Sequence, residues 1–338
     1  MIHSSSQWPR RMNLSMHNRD KDNAQSRLVG ITGATGFLGS YILRHLASSG
    51  RDDLRALSRA PAPLAIAPER VRWARGDLTS PRDCETFTED LGALIHLAHT
   101  NTPLSSQRDW GSDATLNILP TLNLLEALRK QRRRVDMVFV SSGGAIYGTR
   151  TNRAPFKEDD ATYPSSPYGV VKLALENYLR LAADEGWLRV TILRIANAYG
   201  TVLLPERRQG LIGVAINQVL RGKPVPIYGD PENVRDYVHL RDIADIVERC
   251  LQAKTSFDIY NVASGQGTST EDVIALIEKA AGHPVERQHM AEIVDADRLV
   301  PWAVLDIAKA KTALGWQPRV ALADGIEALY RQGLSASG

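Results

Sequence analysis

The stretch RLVGITGATGFLGSYILRHLASSG, residues 27–50, joins a short apolar run to a glycine-rich turn and then to a helix-like pattern. The apolar run predicts a buried strand, and apolar residues three and four positions apart after residue 37 predict a helix. Between them, Gly33 permits a tight turn, Gly36 lets the backbone approach a pyrophosphate, and Gly39 permits close helix–strand packing. Because a helix N-terminus attracts anions, the stretch predicts a dinucleotide-binding turn.

Apolar runs and helix-like segments alternate from this turn to about residue 200. This alternation predicts an α/β fold with a Rossmann-type doubly wound parallel sheet. Beyond residue 200 the alternation is no longer strict, which predicts a smaller C-terminal α/β lobe. We therefore expect a polar, disordered tail at 1–26, an NAD(P)-binding domain at 27–200, and a mainly substrate-binding lobe at 201–334. The six predicted strands are RLVGITG, LRALSR, VRWARGDL, ALIHLA, VDMVFVSS and LRVTILRI.

The composition excludes several classes of protein. The 338 residues are 43% apolar and carry a net charge of only +3, so we predict no nucleic-acid partner. The basic run RKQRRR at 129–134 is interpreted as a solvated helix end. We also predict no membrane segment and no metal site. The two cysteines, Cys84 and Cys250, are far apart in the sequence, which favours a reducing cytoplasm.

Several sequence blocks follow the glycine turn in a characteristic order. Together they resemble the extended branch of the short-chain dehydrogenase/reductase family, in particular its nucleotide-sugar epimerases, dehydratases and reductases, over about residues 27–330. The resemblance implies a nicotinamide coenzyme, a nucleotide-diphosphate sugar as substrate, and a homodimer formed through two helices of the first domain. The blocks are GDL at 76–78, ALIHLA at 93–98, NILPTLNLLEA at 117–127, SSGGAIYG at 141–148, SPYGVVK at 166–172, RDYVHLRD at 235–242 and LGW at 314–316.

Tyr168 and Lys172 are the predicted catalytic pair. They are four residues apart in a helical pattern that begins after Pro167, so both side chains project from one face. An ammonium group near a phenol favours the phenolate. We therefore expect Tyr168 to exchange a proton with a sugar hydroxyl while hydride moves to or from the nicotinamide.

A hydroxyl that assists the tyrosine is the third expected catalytic group. In resembling proteins it lies four residues before the tyrosine of the xxYG block, where this chain has Gly143. Ser142 is the predicted substitute and Ser141 the reserve candidate, although both could simply end a strand. Dehydratases of the resembling family have a sequence similar to Thr-Asp-Glu at the positions of residues 143–145 and use the two acids to expel water. This chain has Gly-Gly-Ala there, which disfavours a 4,6-dehydratase.

Several residues are candidates for contact with the coenzyme. Ser58 and Arg59 stand where relatives that prefer NAD carry an acid, and this pair favours NADP(H), although a surface arginine beside NAD is nearly as good an interpretation. The resemblance adds Phe37 and Leu38 in the glycine turn, Asp77 and Leu78 at the adenine, and Asn117 as a prop for the coenzyme-side helix. Simple capping is the alternative for the last three. His96 and His99 are interpreted as packing residues in the core or beside the coenzyme.

In the second lobe, the resemblance places the diphosphate of a nucleotide-sugar at Asn197 and at Arg235, which precedes Asp236. An arginine suits a diphosphate because its planar fork donates two parallel hydrogen bonds. Arg287 and Arg298 are open candidates for a further arginine near the end of the chain.

Three functions are consistent with these residues. The first is a nucleotide-sugar 4-epimerase, which is expected to retain NAD. The second is an NADPH-dependent reductase of a nucleotide-linked 4-keto-sugar, which Ser58 and Arg59 favour. The third is a non-enzymatic dinucleotide sensor, against which Tyr168 and Lys172 count because a sensor has no need of them.

Overall fold

The computed structural model describes residues 28–51, 53–61, 70–100, 109–203, 210–290 and 300–337. The predicted tail, 1–26, and Arg298 lie outside these ranges. A seven-stranded sheet, parallel at every junction, forms the larger part of the molecule, as the alternating pattern predicted. Its strands are β1 (Val29–Thr32), β2 (Leu54–Ser58), β3 (Val71–Arg75), β4 (Ala93–His96), β5 (Val135–Ser142), β6 (Leu188–Ile195) and β10 (Phe257–Val262).

Helices cover both faces of this sheet, and its central strands are nearly continuous apolar runs, as expected for parallel strands buried on both sides. Large cores lie on the two faces. The helices of this part are α1 (Phe37–Ser48), α2 (Pro81–Thr88), α3 (Trp110–Asp113), a π-helical turn (Ala114–Ile118), α4 (Leu119–Lys130), α5 (Gly143–Ile146), α6 (Pro167–Asp184) and α8 (Leu240–Cys250).

The strand order is β10-β6-β5-β4-β1-β2-β3, so the chain runs outward from β1 in one direction and from β4 in the other. Neighbouring connections diverge at this point, which leaves a crevice at the carboxyl ends of β1 and β4. Ligands of doubly wound sheets bind in such a crevice.

Strand β10 comes from the part of the chain that was expected to form the second lobe. It pairs with β6 along six residues and extends the first sheet. The predicted boundary at residue 200 therefore separates the two lobes only roughly, because residues 257–262 return to the large sheet.

The smaller lobe contains two short sheets. Strands β11 (Gly267–Ser269), β9 (Val234–His239) and β13 (Trp302–Ala303) lie side by side, and β7 (Asn197–Tyr199) also pairs with β9. Strands β8 (Val225–Tyr228) and β12 (Arg287–Met290) form the other pair. Helices α7 (Leu211–Leu220), α9 (Thr270–Ala281) and α11 (Leu322–Ser337) pack together around a third apolar core, and α10 (Ala308–Leu314) lies against β10. Among the helices that the structure describes, none combines the length and hydropathy needed to cross a membrane.

Candidate active site

The glycine turn lies between β1 and α1, at the crevice. Gly33 has φ +68°, and a Cβ added to it would lie 2.7 Å from the backbone nitrogen of Ala98. A Cβ on Gly39 would overlap the carbonyl oxygen of Gly33, so α1 approaches the turn more closely than any side chain allows. Helix α1 begins after Gly36 without a side-chain cap, which leaves the N–H groups of its first turn available for an anion. Phe37 and Leu38 follow in that first turn.

The end of β2 lies next to this turn. Ser58 is buried and Arg59 is exposed. Ser58 pairs in register with Arg75, the last residue of β3, which is exposed as well. Neither arginine forms an ion pair within the described ranges. The sequence did not single out Arg75, because its position opposite Ser58 depends on the register of two strands.

Asp77 and Leu78 have local structural roles in the chain. The Oδ1 atom of Asp77 accepts hydrogen bonds from the backbone nitrogen and the hydroxyl of Thr79, both at 2.9 Å. Leu78 is buried, and its carbonyl oxygen accepts a hydrogen bond from Nδ2 of Asn123 at 3.0 Å. These contacts match the capping alternative. The loop that contains both residues follows β3 directly, at the carboxyl edge of the sheet.

Asn117 connects a helix to the segment that follows β4. Its Oδ1 atom accepts from the backbone nitrogen of Thr100 at 2.7 Å, and its Nδ2 atom donates to Oδ1 of Asp113 at 3.0 Å. Asn117 lies within the π-helical turn, a feature that occurs often at functional sites.

The three residues expected to act in catalysis lie together at the carboxyl edge of β5. Helix α6 begins at Pro167, and the hydroxyl of Ser166 caps it by accepting from the backbone nitrogen of Gly169 at 3.2 Å. Tyr168 shares a side-chain hydrogen bond with Ser142. Lys172 is buried; its Nζ atom donates to the carbonyl oxygen of Val140 at 2.9 Å and lies 5.8 Å from the centre of the Tyr168 ring.

Burial changes the pKa values of Tyr168 and Lys172, an effect that the sequence analysis did not include. Burial raises the pKa of Tyr168 to about 12, and the hydrogen bond from Ser142 offsets only part of that effect. Burial also lowers the pKa of Lys172 to about 7, against the opposing influence of Glu176. Loss of hydration therefore raises the pKa of Tyr168 in the unliganded chain, although Nζ of Lys172 lies near its ring.

Ser141, the reserve candidate, belongs to a closed polar network beneath α6. Its hydroxyl donates to Glu176 at 2.5 Å, and Glu176 forms a buried ion pair with Arg194 at 2.7 Å. Arg194 also donates to the hydroxyl of Tyr147 at 2.8 Å, and that hydroxyl donates to Asn261 at the same distance. Ser141 is thus engaged away from Tyr168, while Ser142 faces it.

Gly143 has no room for the missing hydroxyl. A Cβ added there would overlap the side chain of Leu305, which is buried beside it. The loop that carries Leu305 is held by Asp236, whose carboxylate accepts from the backbone nitrogen of Leu305 at 3.3 Å. The chain therefore combines a glycine at 143 with a large apolar side chain at 305, a pairing that the sequence alone did not indicate.

The two histidines at the end of β4 and just after it have different surroundings. The Nδ1 atom of His96 contacts the hydroxyl of Thr32 at 2.7 Å, and its Nε2 atom contacts that of Thr121 at 3.0 Å. Burial lowers the pKa of His96 to about 3. His99 lies edge-on to the Tyr168 ring, with 4.9 Å between ring centres, and both of its ring nitrogens are buried without a partner in the described part of the chain.

The second lobe brings Asn197 and Arg235 to adjacent strands. Nδ2 of Asn197 donates to the carbonyl oxygen of Asp236 at 3.1 Å. Nη1 of Arg235 donates to the carbonyl oxygen of Val234 at 2.9 Å, and the structure gives this partly buried guanidinium no ion pair with any described residue. Burial lowers the pKa of Arg235, which reports the cost of an uncompensated charge. Arg287, by contrast, pairs with Glu271 at 2.6 Å and Glu278 at 3.2 Å.

Asp236 itself has a structural role. Its carboxylate is fully buried and accepts from the backbone nitrogens of Ser264 and Gly265 at 2.8 and 3.0 Å, and from the Ser264 hydroxyl at 2.6 Å. This carboxylate therefore holds the turn after β10 rather than a ligand.

These features fit a nicotinamide dinucleotide. The glycine turn accommodates a pyrophosphate only because side chains are excluded from it; Ala98 lies beside Gly33, and the next residue, His99, contacts the ring of Tyr168. Within the described ranges, no group of three or more His, Cys, Asp or Glu side chains could hold a metal ion.

Comparison with known proteins agrees with this arrangement. Residues 29–263 match the model of the NAD dependent epimerase/dehydratase family, and the chain belongs to that family. It is 32% identical over 303 residues to UDP-glucose 4-epimerase of Mycolicibacterium smegmatis, which covers 88% of this chain and 95% of the relative. It is 30% identical over 319 residues to dTDP-4-dehydro-6-deoxyglucose reductase of Escherichia coli, with coverage of 91% and 98%.

The same architecture occurs in a solved epimerase. The structure of UDP-glucose 4-epimerase from Thermus thermophilus in complex with NAD superposes with a TM-score of 0.80 at 31% identity, covering 90% of this chain and 98% of that one. The Rossmann-type fold and the expected family are thereby confirmed.

Proposed function

We propose that this chain is an NAD(P)-dependent nucleotide-sugar 4-epimerase. The observation that carries the proposal is the set formed by Ser142, Tyr168 and Lys172 at the carboxyl edge of β5, across the crevice from the glycine turn. Similarity to UDP-glucose 4-epimerases over most of both chains supports it. Gly143 counts against a dehydratase. The resembling dehydratases have a threonine at this position, whereas here Leu305 leaves no room for a side chain.

The proposed reaction removes and returns a hydride at C4 of the sugar and a proton at its 4-hydroxyl oxygen. A bound nicotinamide coenzyme supplies the hydride acceptor and then the hydride donor. Tyr168 exchanges the proton of the 4-hydroxyl, so that oxidation gives a 4-keto sugar and reduction on its opposite face gives the epimer. Ser142 donates a hydrogen bond that favours the phenolate, and a protonated Lys172 acts in the same direction.

Arg235 and Asn197 are proposed to hold the diphosphate of the substrate. A guanidinium that is partly buried and has no carboxylate partner among the described residues is suited to an anionic ligand, which would compensate its charge. The amide of Asn197 lies on the neighbouring strand and is exposed, so it can donate to the same group.

We further propose a homodimer formed through α3, α4 and α6. These helices and the π-helical turn lie against one another, and apolar side chains on their outer surfaces are exposed. Exposed apolar residues clustered on adjacent helices are typical of an interface. The residues are Trp110, Leu116, Leu119, Val170, Tyr178 and Leu181. A cytoplasmic location is proposed because Cys84 and Cys250 are both free and buried.

A second candidate is an NADPH-dependent reductase of a nucleotide-linked 4-keto-sugar. The specific observation in its favour is the pair of exposed arginines, Arg59 and Arg75, at the ends of β2 and β3. Two cations that form no ion pair with any described residue favour a 2′-phosphate over a bare ribose hydroxyl at this corner. The dTDP-4-dehydro-6-deoxyglucose reductase of Escherichia coli is also among the relatives of this chain.

Two measurements on the purified protein separate these functions. The nucleotide released on denaturation is identified by mass spectrometry, and the interconversion of UDP-glucose and UDP-galactose is followed by chromatography. Co-purified NAD and interconversion without added coenzyme are expected. Oxidation of added NADPH by dTDP-4-keto-6-deoxyglucose, without interconversion, would instead establish the reductase. A protein that binds dinucleotide and turns over neither substrate would contradict both.

A further inference from the structure

A pocket of about 320 Å³ lies in the smaller lobe. Its walls come from the end of helix α7, from helix α11 and from the segment that follows strand β7. Pockets of this size hold small molecules in proteins. None of the described residues that line it is among those assigned above to the coenzyme, the substrate or catalysis.

Close packing of two helices forms the apolar wall of this pocket. A Cβ added to Gly333 of α11 would overlap the side chain of Leu220 of α7, and it would lie 3.5 Å from Cγ2 of Val202. Glycine therefore lets the two helices approach closely at this point. Leu220 and Val202 lie beside the glycine and offer an apolar surface to a ligand.

An amide group forms part of the polar wall. Asn217 lies one turn before the end of α7, lines the pocket and is only 9% exposed. Its Oδ1 atom is buried without a hydrogen-bond partner in the described part of the chain, which is destabilising. Because no hydrogen bond to Oδ1 fixes the amide, rotation about the last side-chain bond can turn its NH₂ group toward a ligand in the pocket.

A positive charge lies at the same wall. Arg221 directly follows the last residue of α7, is exposed, and forms no ion pair with any described residue. Thr201 and Gln332 add a hydroxyl and an amide, which can both donate hydrogen bonds. The described residues that line the pocket include no Asp or Glu. Several donors and a cation without an acid favour an anionic ligand, and a guanidinium suits a carboxylate or a phosphate.

We propose that this pocket binds a small organic acid. The anionic head group of the acid is held by Arg221 and Asn217, and its apolar body lies against Val202 and Leu220. Carboxylates and phosphate esters both accept hydrogen bonds from such donors, so the head group is one of these two. The inference does not rest on the proposed function, because no residue of the catalytic group takes part.

The proposal is tested by fluorine NMR titration of the full chain with para-fluorobenzoate, para-fluorophenyl phosphate and the neutral para-fluorobenzamide. UDP and ADP-ribose are present in excess, so that the proposed active site is occupied. The variants are Arg221→Gln, which changes an exposed side chain, and Asn217→Asp, which places a negative charge at the pocket wall. Lys223→Gln is the matched control, because it removes an exposed cation near the same helix end outside the pocket. Circular dichroism checks the folding of each variant.

We expect at least one of the two acids to bind saturably and the amide not to bind. Arg221→Gln should weaken the bound acid about 10-fold, the effect of one lost charged hydrogen bond. Asn217→Asp should weaken it at least as much, because like charges repel. Lys223→Gln should stay within about twofold of the wild type. Absence of saturable binding of both acids, equal binding of the neutral amide, or equal losses in Lys223→Gln and Arg221→Gln would overturn the proposal.

Discussion

Helix α6 lies against two buried polar regions that differ in one respect. Beneath the helix, Glu176 and Arg194 belong to a network in which each named side chain contacts another. At the beginning of the same helix, beside Tyr168, the nitrogens of His99 are buried without a partner in the described chain. We infer that the first region stabilises the fold and that the second, which contains Tyr168, belongs to the proposed active site.

Arg194 and Arg235 show the same contrast between two arginines. Arg194 is buried with Glu176, and the ion pair and hydrogen bonds around it raise its pKa. Burial lowers the pKa of Arg235, which the described residues provide with a backbone carbonyl but no carboxylate. We therefore expect that disruption of the Arg194 ion pair lowers the free energy of unfolding, whereas substitution of Arg235 weakens ligand binding without lowering it.

The largest effect on stability is expected from Glu176→Gln. The substitution leaves the buried guanidinium of Arg194 without a counter-charge, which costs about 3–5 kcal/mol. Urea unfolding followed by circular dichroism measures the change. Glu126→Gln is the matched control, because its ion pair with Arg129 is exposed and should contribute less than about 1 kcal/mol. Equal unfolding midpoints for Glu176→Gln and the wild type would show that the network does not stabilise the fold.

Arg235→Met is expected to weaken UDP binding about 10- to 100-fold, the loss of a charged hydrogen bond. The free energy of unfolding of the unliganded chain should stay the same or rise, because an uncompensated, partly buried cation is removed. Titration with UDP and urea unfolding provide the two readings. Arg331→Met, at an exposed pair with Glu327, serves as the control. A loss of stability with unchanged UDP affinity would make Arg235 a structural residue.

Gly143→Ser tests whether Leu305 excludes a hydroxyl at that position. The added atoms overlap Leu305, so the substitution should lower the free energy of unfolding by about 1–3 kcal/mol. In the Leu305→Ala background its cost should fall, since the smaller side chain leaves room. A double-mutant cycle measures this coupling. Additive effects of the two substitutions would contradict the assigned contact.

Sequence predicted best those features of the site that lie within one local element. The glycines at 33, 36 and 39 belong to a single strand–turn–helix, and Tyr168 and Lys172 belong to one helix. The register of β2 against β3 brings Arg75 beside Ser58, and the loop held by Asp236 brings Leu305 beside Gly143. Such contacts join distant segments, and no local pattern specifies them. The same reason explains why β10 was not expected in the large sheet.

An effect that depends on pH is expected from the titration of Lys172. Its pKa of about 7 in the folded chain is lower than that of an unfolded lysine, about 10.4, so between these values the unfolded chain binds more protons. This group therefore makes stability rise with pH in that window, by at most about 1.4 kcal/mol per pH unit. Lys172→Met should remove this contribution, as measured by urea unfolding at pH 6–10.

The exposed Lys279→Met is the control for that series and should leave the pH dependence unchanged. If Lys172→Met and the wild type show the same dependence on pH, the lysine is not held in its neutral form by burial.

The central claim, that Tyr168 transfers the proton in the proposed reaction, is tested most directly by Tyr168→Phe. Interconversion of UDP-glucose and UDP-galactose and the affinity for ADP-ribose are measured on the same preparation. We predict that turnover falls by at least about 100-fold, the usual contribution of a general acid–base group, while ADP-ribose binds within about twofold of the wild type. Turnover at the wild-type rate in Tyr168→Phe would contradict the account.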